Sequence, residues 1–454
     1  MRNYKIDTEY KNSLIGWNDK IPSNWTEKKA KYIFKSKKVI NKKLQSTNRL
    51  ALTLKGVVNR SMTDSLGLSP NDFKTYQLFE KNDLVFKLID LENINTSRVG
   101  IVHEDGIMSS AYIRTTLIDK NTSPKYYYYL YYDWYKKNIF NSIGSGVRST
   151  LTSKDLLELE VSIPPLPEQT AIANFLDKKT AQIKQFITLK EKTIVLLKER
   201  KTAIINQAVT KGLNPIVKMK DSGIEWLGEI PEHWEVKKLK YLSKVISKGT
   251  TPSTEGRGMT DSGIRYLKAE NIFESEVKNI PQFFIDTRTH QILKRSQLKA
   301  LDILFVIAGA TIGKTAILRE EMLPANTNQA VSFIRLYSKE HPNFVHLWLQ
   351  SGYINEQIWL KAVQSAQPNL SMEDLGNFSI PYPKIDEQIK IQQFIENKLT
   401  KLDQSISQAE KEIALMKEYQ QSLISEAVTG KIDVRSSSAS DHSHLANQKH
   451  INGN

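Results

Sequence analysis

"EQTAIANFLDKKTAQI" occupies residues 168–183, and "EQIKIQQFIENKLTKL" occupies 387–402. The likeness runs without a gap to "AIINQAVT" (203–210) and "SLISEAVT" (422–429). Over the 43 residue pairs at a constant offset of 219, 17 are identical, including Glu168/Glu387, Gln169/Gln388, Glu191/Glu410, Lys198/Lys417 and Ala208/Ala427. Neither stretch contains Gly or Pro. Apolar residues recur at helical spacing: Ile172, Phe175, Ile183, Ile187, Ile194, Leu197, Ile204 and Ala208 in the first, and Ile391, Phe394, Leu402, Ile406, Ile413, Met416, Leu423 and Ala427 in the second. Steps of three and four place them on one stripe of a long helix. At 1.5 Å per residue each helix is roughly 65 Å long. A helix of that length is not stable alone in water, so its stripe needs a partner, and the other copy supplies one. Residues 168–211 carry nine basic and four acidic side chains, and 387–430 carry five and seven, so the two helices have opposite net charge.

Each helix has a similar lead-in, "LTSKDLLELEVSIPPLPEQ" (151–169) and "LSMEDLGNFSIPYPKIDEQ" (370–388). Proline lacks an N–H and restricts its neighbour, so these pieces are extended entries to the helices. A further echo links "KNSLIGWNDKIPSNW" (11–25) with "KDSGIEWLGEIPEHW" (220–234). The chain thus reads globule, helix, globule, helix: 1–160, 163–212, 213–378 and 380–431. Residues 435–454, Ser/Asn/His-rich and aperiodic, are expected to be a disordered tail whose His442, His444 and His450 are solvated.

The globules differ more than the helices. "NDLVFKLI" (82–89) aligns with "LDILFVIA" (301–308), and "SRVGIV" (97–102) with "TIGKTAIL" (311–318), which predicts short strands. "YYYYLYYDWY" (126–135) and "PNFVHLWLQSGYI" (342–354) predict helices, with the tyrosines packed. The fold class is therefore mixed α/β (α+β): two globules joined by two long antiparallel coiled-coil helices in an internal tandem repeat with pseudo-twofold symmetry.

The 454 residues hold no cysteine, which excludes disulfides and thiolate chemistry. No apolar run reaches the length of a membrane span, and "MRNYKIDTEY" has no signal-peptide core; a cytoplasmic protein without a membrane partner is expected. The 64 Lys+Arg against 49 Asp+Glu give +15, a surplus that favours a polyanionic partner. "AGATIGKT" (308–315) approaches a phosphate-binding loop, but Gly309 and Gly313 are too close together for G-x-x-x-x-G-K-[ST], so ATP binding is not expected. No Asn/Asp-Pro-Pro-aromatic methyltransferase motif, nuclease cluster or metal-binding motif appears; no catalytic or metal residue is expected.

Polar basic stretches remain. In the first globule the candidate DNA contacts are Arg60, Lys87, Arg98, Ser145 and Arg148. In the second they are Lys248, Thr250, Thr251 and Ser253 in "SKGTTPST", Arg265, Lys268 and Asn271 in "IRYLKAENI", Lys314 and Thr315 in "GKT", and Gln367 and Asn369 in "SAQPNLS". Arg and Lys suit guanine edges, Asn and Gln suit adenine, and hydroxyls and lysines suit phosphates. Phe175, Ile183, Ile194, Leu197 and Ile204, with Phe394, Leu402, Ile413, Met416 and Leu423, are the candidate contacts of the helix pair and of any subunit seated on it.

Taken in order and doubled, "IPSNW"/"IPEHW", "KGTTPS", "DILFVIAGATIGKTAI", "SAQPNLS", "IPPLPEQ"/"IPYPKIDEQ" and the paired "AVT" helix ends resemble the specificity subunit of type I restriction–modification systems. The resemblance spans nearly the whole chain apart from the tail. It implies that each globule is a target recognition domain reading one half of a split double-stranded DNA site, that the helices set the gap, and that the chain itself is not an enzyme. It also implies that two methyltransferase subunits and the restriction subunits bind around this scaffold and carry S-adenosylmethionine, ATP and Mg, with no cofactor in this chain. Unlike heads imply an asymmetric site. The first domain has no clear copy of "KGTTPS" or "GATIGKT". Two other readings are open: a self-contained methyltransferase or nuclease with fused recognition domains, and a coiled-coil adaptor for proteins only.

Overall fold

The computed structural model describes residues 9–63, 72–92, 96–119, 122–144, 150–273, 275–362 and 369–434. The tail expected at 435–454 lies outside them. The two long helices are present as Leu166–Lys211 and Ile385–Val428, a few residues shorter than the expected spans because the proline lead-ins form strands, Glu160–Ile163 and Ser379–Tyr382. Among the buried or half-buried positions on the second helix, 406, 409, 413, 416, 420, 423 and 427 follow alternating steps of three and four that suit a coiled-coil seam.

The chain divides into two compact units, and the division cuts both helices. One unit is 1–190 with 411–454; the other is 191–410. Each unit therefore owns a head, the near half of one helix and the far half of the other.

In the first unit, Ile172, Leu176 and Ile183 share a core with Leu423, Ile424, Ala427 and Val428. Lys190 pairs with Glu412 at 2.6 Å, so the halves run antiparallel. The "IPSNW" segment is clasped between the beginning of one helix and the end of the other. Asn24 donates to Glu168, and a Cβ on Gly430 would lie 2.5 Å from Pro22 and 3.0 Å from the Trp25 ring. Tyr126 stands edge-on to Trp25 and donates to the Val428 carbonyl at 3.2 Å. The tyrosine-rich helix Pro124–Lys136 is packed as expected, with Tyr126, Tyr127, Tyr129 and Tyr131 buried.

The second unit repeats this plan. Ile205, Ala208 and Val209 meet Ile391 and Ile395, and Lys201 pairs with Asp403. Trp234 donates its indole N–H to Glu387 at 3.1 Å, beside Gly212 at the helix end. The doubled "IP…W", "EQ" and "AVT" motifs are thus three sides of one joint, written twice. The glutamines complete it: Gln169 donates to the Pro164 carbonyl and Gln388 to the Pro383 carbonyl, filling acceptors left open where proline breaks the backbone pattern.

Each head contains a four-stranded antiparallel sheet of the same topology. In the first the order is Phe34–Lys35, Ile113–Leu117, Leu84–Phe86, Val99–Ile101. In the second it is Ser243–Lys248, Val331–Leu336, Ile303–Val306, Thr315–Ile317. The short echoes seen in sequence are one inner strand of this sheet (Leu84–Phe86, Ile303–Val306) and the edge strand beside it (Val99–Ile101, Thr315–Ile317).

Candidate nucleic-acid interface

Several of the basic and polar residues singled out in sequence are committed to holding the heads together. Arg98 is only 2 % exposed and donates to the carbonyls of Asp90 and Leu91. Lys87 is half-buried beside it, and burial together with the Arg98 guanidinium lowers its pKa. Asn271 is buried: its amide donates to the carbonyls of Lys278 and Pro281 and its oxygen accepts from Lys268 N–H, so little of it is left for a base edge. Thr315 is buried and donates to Leu304. Arg265 is tied to Asn279 and to the Glu321 carbonyl, and the Lys268 ammonium lies 3.5 Å over the Phe283 ring. Arg60 is half-buried, and its backbone N–H donates to the Arg49 carbonyl. Ser145, Arg148 and Gln367 lie outside the described residues.

The remainder are presented to solvent. Lys248 and Ser253 are exposed where the edge strand Ser243–Lys248 runs out, with Thr250 and Thr251 between them half-buried. Gly249 is required there: a Cβ would fall 2.0 Å from the Thr327 carbonyl oxygen. Thr251 donates to Gln329, and exposed Arg295 reaches Ser247 on the same strand, so Lys248 and Arg295 place two cations at one edge. Lys314 is exposed, and Asn369 bridges to Ala308. The loop Gly309–Gly313 joins two antiparallel strands, with both glycines at φ near +90°, and no helix follows it. A phosphate-binding loop aims backbone N–H groups from a helix start, so this turn is a hairpin connection, as its spacing in sequence indicates.

The same sheet edge in the first head carries the feature that motif reading passed over. From 28 to 63 the chain has eleven basic residues (Lys28, Lys29, Lys31, Lys35, Lys37, Lys38, Lys42, Lys43, Arg49, Lys55, Arg60) and no acidic one. Lys29 and Lys31 pair with Glu158. Lys35, Lys37, Lys38, Lys42 and Lys43 are all exposed, and none makes an ion pair among the described residues. The segment runs beside 76–78, with Ile40 opposite Gln77. The signal was available as a charge run; lysines at a strand edge also prevent edge pairing, and only the topology separates the two roles. Lys35 alone sits on the strand, and the others lie beyond it.

Along the helices, Ile183, Ile413 and Leu423 are buried, while Phe175, Ile194, Leu197, Ile204, Leu402 and Met416 are half-buried. Phe394 is 38 % exposed, whereas Ile391, also expected on the stripe, is buried, as is Ile395. Among the described residues no group of His, Asp and Glu is placed to hold a metal, and no helix is long and apolar enough to cross a membrane.

Comparison with known proteins agrees with this architecture. The type I restriction modification DNA specificity domain matches twice, over residues 22–194 and 231–415. The chain is 27 % identical over 340 residues to the type I restriction enzyme MjaVIII specificity subunit of Methanocaldococcus jannaschii, covering 73 % of this chain and 75 % of that one. It is 27 % identical over 289 residues to the EcoBI specificity subunit of Escherichia coli, covering 62 % and 60 %. Among solved structures, a chain from work on complex assembly and conformational transition of the type I R-M system superposes with TM-score 0.70 at 12 % identity, covering 91 % of this chain and 99 % of that one. The HsdS subunit from Thermoanaerobacter tengcongensis superposes with TM-score 0.50 at 14 % identity, covering 92 % and 100 %. With most of each head and the greater part of each long helix matched by one copy of that domain, the chain belongs to the type I restriction modification DNA specificity family.

Proposed function

We propose that this chain is the non-catalytic sequence-specificity subunit of a type I restriction–modification complex. One observation carries the reading: the chain holds two copies of a DNA specificity domain whose frames repeat and whose basic edge loops differ, "KSKKVINKKLQ" (35–45) in one and "SKGTTPST" (247–254) in the other. Two different basic loops on one repeated sheet suit an asymmetric, two-part duplex site, since identical heads would favour a palindrome. The helices serve as spacer between the half-sites and as seat for two methyltransferase subunits and the restriction subunits. Those subunits bring S-adenosylmethionine, ATP and Mg, and the complex acts in the cytoplasm.

The test is a genome-wide map of methylated adenine in a host without its own methylation, expressing this chain with its neighbouring methyltransferase subunit. A split, asymmetric motif with a fixed unspecified gap, lost when this chain is omitted, is the expected result. A continuous motif, or a pattern indifferent to this chain, refutes the reading.

A further inference from the structure

The lysine-rich edge of the first head ends in a short loop whose construction goes beyond electrostatics. Asn41 is fully buried, and its side chain brackets the loop: the amide donates to the Ser46 carbonyl at 2.9 Å, and its oxygen accepts from Ser46 N–H at 3.2 Å. Its own N–H is bound to the Tyr76 carbonyl, and its carbonyl accepts from Leu44 N–H at 2.9 Å. The base of the loop is anchored again where Asn48 donates to the Asp105 carbonyl and accepts from Ile107 N–H. Between these ties Leu44 adopts φ +50°, a left-handed conformation that a leucine rarely takes, and is 45 % exposed. Lys42, Lys43 and Gln45 around it are exposed as well.

A solvated surface loop has no need of a buried amide bracket or of a leucine held left-handed in water. The arrangement does suit a reading element. Two lysines lead into the tip, where they can hold phosphates without sequence preference. A side-chain amide at the tip can take a bidentate grip on an adenine edge, and an apolar neighbour can meet a thymine methyl. The segment leading into the loop follows the edge strand Phe34–Lys35, the counterpart of the strand Ser243–Lys248 that leads into the second head's loop.

We infer that Lys42–Gln45 is the loop with which the first head reads DNA: Gln45 is a specificity-determining residue contacting a base edge, Lys42 and Lys43 are phosphate contacts, and Asn41 is the positioning residue that holds the loop. This rests on the specificity function proposed above.

The experiment uses the full chain assembled with its methyltransferase subunits. The probes are duplexes carrying the mapped motif and every single-base variant of it, in a salt series. Gln45→Ala is expected to weaken binding of the cognate duplex by about 5- to 150-fold and to relax preference at one or two adjacent positions of one half-site, with the other half unchanged. Lys42→Ala/Lys43→Ala is expected to weaken all sequences alike and to reduce the slope of log K against log salt by about 2. Asn41→Ala is expected to mimic Gln45→Ala, while a thermal melt of the Gln45 variant matches wild type. A Gln45→Ala complex that discriminates every position of both half-sites as wild type does overturns the assignment and leaves the specificity function intact. A wild-type complex with no sequence preference overturns both.

Discussion

Asp302 is fully buried at the start of its strand, and Arg335 answers it through two hydrogen bonds of 2.8 and 2.6 Å from the neighbouring strand. The carboxylate also accepts from Lys299 N–H. At an offset of 219, Asp83 is buried, held by Arg114 at 2.5 Å, and accepts from Glu80 N–H. In both, the residue before the aspartate is left-handed: Leu301 at φ +66° and Asn82 at φ +74°. Burial raises the pKa of both carboxyls, against the pull of their hydrogen bonds. Such a pair adds little net stability but is costly to break, so it fixes how the strands meet. His346 has a clearer pH signature. It is buried on the helix Pro342–Leu349, and burial lowers its pKa to about 4. Because the folded imidazole resists protonation while the unfolded one titrates near 6.5, the unfolded state binds more protons in between. The stability His346 permits is present above pH 6.5 and is lost as pH falls toward 4, at roughly 1.4 kcal/mol per unit. Urea midpoints measured from pH 7 to 4 should fall less steeply for His346→Gln than for wild type. Parallel curves would show that this residue does not govern the acid limb.

The long helices were legible because one period and one offset run through more than forty residues, and turn-breaking residues mark their ends. The heads were not. Their strands are two to six residues long, too short for any period to declare itself, and what repeats in them is single contacts. Leu151 N–H donates to the Leu88 carbonyl, and Leu370 N–H to the Ile307 carbonyl, 219 residues on at both ends, where the short sequence echoes lie. Phe394 shows the same limit on a helix. Spacing put Ile391 and Phe394 on the stripe together; Ile391 is buried, but Ile395 is buried in place of Phe394. The joints at the helix ends permit a sharper prediction. Gly212 and Gly430 both close a helix in the left-handed conformation, at φ +71° and +72°. A Cβ at Gly212 would meet nothing nearer than 3.2 Å, whereas one at Gly430 would lie 2.5 Å from Pro22. Gly212→Ala should cost about 1–2 kcal/mol, the backbone penalty alone. Gly430→Ala should cost more, because Pro22 and Trp25 must shift. Denaturant unfolding of both variants checks the order; equal losses would mean that the "IPSNW" clasp yields freely.

At the scale of the whole chain, charge was readable and its placement was not. Arg98, Asn271 and Thr315 have the right chemistry for nucleic acid, but folding spends them on internal hydrogen bonds. The run Lys35–Lys43 has plain lysines in no motif, and the sheet topology turns it into the counterpart of "SKGTTPST". If the two edges read DNA separately, they must also be separable by exchange. The frame makes this feasible, because the clasp formed by "IPEHW", Glu387 and Gly212 is rebuilt from the same motif types in the other unit. Replacing residues 213–378 with the corresponding domain of another family member should therefore leave the chain able to assemble with its methyltransferase subunits. It should change one half of the methylated motif, leaving the other half as in wild type. Methylation mapping of the hybrid is the measurement. A motif altered in both halves would mean that the heads do not read independently, and the two-loop account of specificity would fail even though the family assignment stood.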